Sequence, residues 1–129
     1  MAAALCGIAA GSYAQTGNEL TDKAQQYANT VFQDCPQYAA PEYIPDYAEI
    51  LGRIEIITLS EYGSGDYTLL STVPLKNKCN TILNYDNQTN FDPQNFNPFK
   101  YFLNYYPKNN DKAYRVDNTQ YIILVHVAP

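Results

Sequence analysis

The sequence predicts an α+β domain, with an N-terminal amphipathic helix packed on an antiparallel sheet of four or five strands. Three observations carry this expectation. Leu20, Ala24, Tyr27, Ala28, Val31 and Phe32 recur at helical spacing, with Asp22, Lys23, Gln25, Gln26 and Asn29 on the opposite side. Residues 53–60 and 67–73 read as the two arms of a hairpin about the Gly-rich turn 62–66. The strongest strand patterns, residues 97–106 and 114–127, stand in the C-terminal third, joined by the turn-forming PKNNDK.

The chain of 129 residues has room for one domain with its own core. Residues 1–14, MAAALCGIAAGSYA, are apolar and uncharged and end in Ser12-Tyr13-Ala14, the small-x-small pattern that precedes a signal-peptidase cut. The expected mature domain is therefore 15–129. The apolar run is too short to span a bilayer, so no transmembrane segment is expected. Cys6 is weighed as a lipidation site, but Leu5 stands where a lipobox wants a small residue.

Within the mature segment, Thr16-Gly17-Asn18-Glu19 has capping-box spacing, which starts the helix, and Pro36 ends it. Residues 36–47 carry Pro36, Pro41 and Pro45 interleaved with Tyr38, Tyr43 and Tyr47. Proline fixes φ and removes a donor, so this segment is expected to run extended over the surface. Its tyrosines either staple it to the fold or form a recognition patch. Cys35 and Cys79 remain as a pair; in an exported chain they read as a disulfide, the alternative being two separate buried thiols.

Beyond the hairpin, residues 81–85 are a candidate short strand. Asn84, Asp86, Gln88, Asn90 and Asp92 place oxygen side chains at every second position, as calcium loops do. The sharp-turn Gly is missing and Asn95 stands where a bidentate Glu is wanted, so a solvated loop is the expected state and no metal is assigned. Asn87-Gln88-Thr89 matches the N-glycosylation pattern. In the last strand Tyr121, Ile123, Val125 and Val127 share one face, and Ile122, Leu124 and His126 the other. Apolar residues on both faces mark a central strand against which the helix packs. Asp117-Asn118-Thr119 interrupts the run, so 114–116 is a candidate separate strand.

The net charge of −5 and pI near 4.6 speak against a nucleic-acid partner. The charge is uneven: residues 1–66 hold nine acids against two bases, and residues 67–129 four acids against six bases. Catalytic chemistry finds little support. His126 is the only imidazole and lies on a strand face near the C-terminus, where a structural role is the expectation and a hydrolase base the alternative. Glu55, Glu61 and Asp66 are carboxylates that no spacing pairs. No cofactor is implied.

Binding is the better reading. Tyr101, Tyr105 and Tyr106 on the aromatic strand, with Tyr43 and Tyr47 on the Pro/Tyr segment, are the candidate contacts. A protein partner in the envelope or outside the cell is the leading expectation. The alternative is a glycan stacked on Tyr101, Tyr105 and Tyr106 with help from the Asn-rich loop 84–97. The Ser-Tyr-Ala-Gln cleavage pattern with FNPFKYFLNYYPK and YRVDNTQYIILV resembles small exported proteins of Bacteroidota. That resemblance implies periplasmic, outer-membrane-associated or extracellular residence.

Overall fold

A computed structural model of the chain describes residues 17–129. The cleavage pattern, Cys6 and the Thr16 side of the capping box lie outside the described residues.

The fold is α+β: two helices packed with a four-strand, mostly antiparallel sheet. Helix α1 spans Gly17–Val31 and buries Ala24, Tyr27, Ala28 and Val31, members of the predicted apolar stripe. It packs most closely against a second helix, α2, Ile44–Gly52, and its buried residues share one core with Ile54, Ile56, Ile123 and Val125 of the sheet.

Helix α2 corrects the expectation that residues 36–47 run extended. Pro36 and Pro41 each open a 3-10 turn, Pro36–Ala39 and Pro41–Tyr43, and Pro45 stands in the first turn of α2. The first helical position needs no N–H and prefers the φ that proline already has. The three prolines therefore start helical turns where they were expected to prevent them.

The sheet runs in the order β1-β4-β3-β2, where β1 is Ile54–Thr58, β2 Thr68–Leu69, β3 Lys112–Arg115 and β4 Tyr121–Val125. The chain 112–125 is a hairpin, with Asn118 at φ 60° in its turn, a conformation Asn tolerates better than most residues. β1 lies antiparallel to β4 with Ile54 opposite Val125 and Thr58 opposite Tyr121. Strand β4 is central, and Ile122, Ile123 and Val125 are fully buried.

Three strand expectations fail. β1 and β2 are not hairpin partners: β2 lies parallel to β3 at the far edge of the sheet. The chain leaves β1 through a one-turn helix α3, Leu59–Tyr62, because Thr58 and Glu61 form a capping box, with Glu61 Oε1 2.8 Å from the Thr58 N–H. Residues 97–106 likewise form no extended strand. The Asn97 side chain caps a 3-10 turn, Pro98–Lys100, and Tyr101 makes a single antiparallel bridge to Leu75. The candidate strand at 81–85 is also irregular.

The long connection from residue 73 to 97 is tied to α1 by side chains. Asn80 donates to the Thr30 carbonyl at 2.7 Å, Asn97 to Tyr27 at 3.1 Å, and Lys23 to Gln94 at 2.7 Å. The Cys35–Cys79 disulfide closes the same junction, with Cα atoms 5.4 Å apart. A disulfide fits an oxidising environment. No helix among the described residues is long and apolar enough to cross a membrane.

Candidate binding face

The C-terminal end of α1, the turn after Cys35, helix α2 and the segment 75–79 meet around an apolar groove of about 350 Å³. Phe32, Tyr38 and Tyr47 form one wall, and Leu75, Cys79 and Phe102 the other. The first wall is an aromatic stack: Phe32 lies 5.7 Å from Tyr38 and 6.2 Å from Tyr47, and Tyr47 is 5.0 Å from the buried Phe99. Tyr47 donates a hydrogen bond to the Tyr38 carbonyl at 3.0 Å, which holds the two rings in register. Phe102 is 60% exposed and Tyr38 is also exposed, an arrangement that leaves apolar rings in water unless something covers them.

Lys76 and Lys78 also line the groove, and no acid does. Lys76 is half-buried, with its ammonium 4.7 Å from the centre of the Tyr105 ring and 5.4 Å from that of Phe102. It has no carboxylate partner among the described residues. Burial pulls its pKa below the usual lysine value. The disulfide and the Asp34 N–H bond to the Cys79 carbonyl, 2.8 Å, clamp segment 75–79 against the end of α1.

The candidate tyrosines divide. Tyr101 is fully buried, with its hydroxyl donating to Asp86 Oδ2 at 2.8 Å and accepting from the Asp86 N–H at 2.7 Å. Burial pushes its pKa far up, so it is a core residue with no face to offer a ligand. Tyr105 is half-buried; the Pro98 and Tyr101 carbonyls hold its hydroxyl, and its ring supports Lys76. Tyr106 is 60% exposed, and Tyr43 is exposed as well. Tyr47 has Tyr43 and Tyr106 as electrostatic neighbours, behind burial, in the raising of its pKa. Of the five candidates, Tyr47 lines the groove and Tyr105 reaches it through Lys76, whereas Tyr43 and Tyr106 do not line it. Tyr38, one of the tyrosines of the proline-rich segment, lines the groove; Phe102 and Lys76, which also line it, were not singled out, since the sequence offered only a strand face to read them from.

His126 is no free base. Its Nδ1 lies 2.7 Å from Asp111 Oδ2 and its Nε2 2.8 Å from Glu55 Oε1. Two carboxylates at both ring nitrogens favour the imidazolium, whereas a general base needs a free lone pair. Glu61 is occupied in its capping box. In the loop 84–97, Asp86 pairs with Lys100 at 2.9 Å, the Asn90 side chain accepts the Asn87 N–H, and Asp92 binds Gln94 and Asn95. These oxygens hold the loop's own shape. No group of three or more His, Cys, Asp or Glu able to hold a metal occurs among the described residues.

Neither a family model, nor a curated protein, nor a solved structure matches this chain.

Proposed function

We propose that the chain is an exported, non-catalytic interaction domain that receives a segment of another envelope or extracellular protein in the groove between Tyr38 and Phe102. The supporting observation is the pairing of an apolar, ring-lined groove with a half-buried ammonium at Lys76 that lacks a carboxylate partner among the described residues. Apolar anchors with one compensated charge are the usual content of an interface centre. The occupant that fits is a segment carrying an aromatic or aliphatic residue next to Asp or Glu. Its side chain would cover Phe102 and its carboxylate would take Lys76. The setting rests on the cleavage pattern of residues 1–14, the disulfide, and the resemblance to exported Bacteroidota proteins.

Peptide display against the folded protein tests this reading. Selected peptides are expected to share an apolar residue adjacent to an acid and to lose affinity about ten-fold or more with Phe102→Ala or Lys76→Gln. Peptides without that pattern, or binding indifferent to both substitutions, would overturn it.

A further inference from the structure

A second cleft, of about 450 Å³, shares no residue with the groove and has the opposite character. It is lined by Asn104, Tyr106, Lys108, Asn109, Asn110 and Lys112. It holds one aromatic ring, three amides, two ammoniums and no acid.

The ring is fixed in place. The Arg53 guanidinium lies 5.2 Å from the Tyr106 ring centre and donates to the Tyr105 carbonyl at 2.7 Å, so one buried group sets both the backbone and the ring. The Asn104 side-chain oxygen accepts the Tyr106 N–H at 3.1 Å, and the Asn104 N–H donates to the Tyr114 hydroxyl at 2.9 Å. The Asn104 amide thereby keeps its NH₂ side for a ligand while its oxygen braces the turn.

The charge is arranged as well. Asp111 stands between Lys108 and Lys112 in sequence, yet Val127 N–H takes its Oδ1 at 2.8 Å and His126 takes its Oδ2 at 2.7 Å. The one acid of this loop is thus engaged elsewhere, and the cleft presents two cations on a chain of net charge −5.

We infer that this cleft binds an acidic saccharide, with a sugar face stacked on Tyr106, hydroxyls taken by the asparagine amides, and a carboxylate received by Lys108 and Lys112. A flat ring and amide groups suit a polyhydroxylated ring, and paired ammoniums suit a carboxylate. A nucleic acid is disfavoured because two lysines on an acidic chain release few counterions. The site is separate from the groove and goes beyond its reading.

Titration of the whole protein by NMR with an oligogalacturonate, a neutral galactose oligomer and inorganic phosphate tests the inference. The acidic oligomer is expected to shift the amides of residues 104–112, to bind more weakly as salt rises, and to lose about ten-fold in affinity with Tyr106→Ala. Lys108→Gln with Lys112→Gln is expected to reduce binding and flatten the salt dependence. Tyr106→Phe keeps the ring and is expected to keep the affinity, and Phe102→Ala, which damages only the groove, is expected to leave it unchanged. Equal binding of the neutral oligomer, phosphate binding as tightly as the saccharide, or no shift at 104–112 would each overturn it.

Discussion

His126 and Asp111 are joined side chain to side chain at 2.7 Å, and through the second ring nitrogen His126 reaches Glu55 at 2.8 Å. One imidazole therefore fastens the start of β3 and strand β1 to the end of β4.

This clasp makes stability depend on pH in both directions. Burial works against the imidazolium, but hydrogen bonds that it donates to Glu55 and Asp111 outweigh it and raise the pKa of His126 above the ordinary 6.5. Its contribution is full below 6.5 and fades as pH rises through the raised value. The Val127 N–H, against a smaller cost of burial, and His126 lower the pKa of Asp111 below the ordinary 3.8. That contribution is present above 3.8 and fades as pH falls through the lowered value. Melting temperature plotted against pH is expected to be highest between these limits, and His126→Gln to flatten the alkaline decline. Parallel profiles for the two proteins would remove His126 from the account.

Arg53 is buried and makes four polar contacts, two to Glu49 at 2.8 and 3.2 Å and one each to the Tyr105 and His126 carbonyls at 2.7 and 3.2 Å. Arg53→Met leaves both carbonyls without that donor and is expected to cost about 3–5 kcal/mol in urea unfolding. Arg53→Lys keeps the charge but not the fork, and is expected to recover only part of the loss. Full rescue by lysine would show that charge alone matters there.

Reduction of Cys35–Cys79 removes a cross-link between residues 44 apart in sequence. Paired Cys35→Ser and Cys79→Ser substitutions are expected to lower stability by about 2–4 kcal/mol. Hydrogen exchange is expected to rise first in segment 75–79, the wall of the groove that the disulfide clamps. Uniform acceleration across the sheet instead would mean that the bridge stabilises the whole fold and not that wall.

Tyr101 and Tyr106 have opposite roles despite their closeness in sequence. Tyr101→Phe deletes a buried hydroxyl shared with Asp86 and is expected to destabilise by about 1–3 kcal/mol. Tyr106→Ser, at an exposed position, loses only the contact of its ring with Arg53 and is expected to cost about 0.5–1 kcal/mol. Denaturant midpoints for both variants check the contrast, and equal losses would contradict it.

Local signals were legible wherever one stretch carried its own instructions. The stripe from Leu20 to Val31 announced α1, two-sided apolarity announced the central β4, and Asp117-Asn118 announced its turn. Two local signals were present and misread. Pro36, Pro41 and Pro45 start helical turns, and Thr58-Leu59-Ser60-Glu61 repeats the capping-box spacing seen at Thr16-Gly17-Asn18-Glu19. Tyr105 and Tyr106 were named from an expected strand, and Tyr43 and Tyr47 from a proline-interleaved segment; of these only Tyr47 lines the groove, whose residues come from five separate stretches of chain.

The sequence by itself determined the fold class, the main helix, the central strand and the single cysteine pair of the described chain, because periodicity, capping and cysteine count act over short range or by elimination. Tertiary structure alone decided which tyrosines face water. Tyr101 and Tyr106 sit in one aromatic run, but the cap at Asn97 turns that run out of extended pairing. Tyr101 then meets Asp86 and Phe96 in the core, and Tyr106 is left outside over Arg53. Burial is set by partners distant in sequence, and no pattern within residues 97–106 encodes where those partners lie.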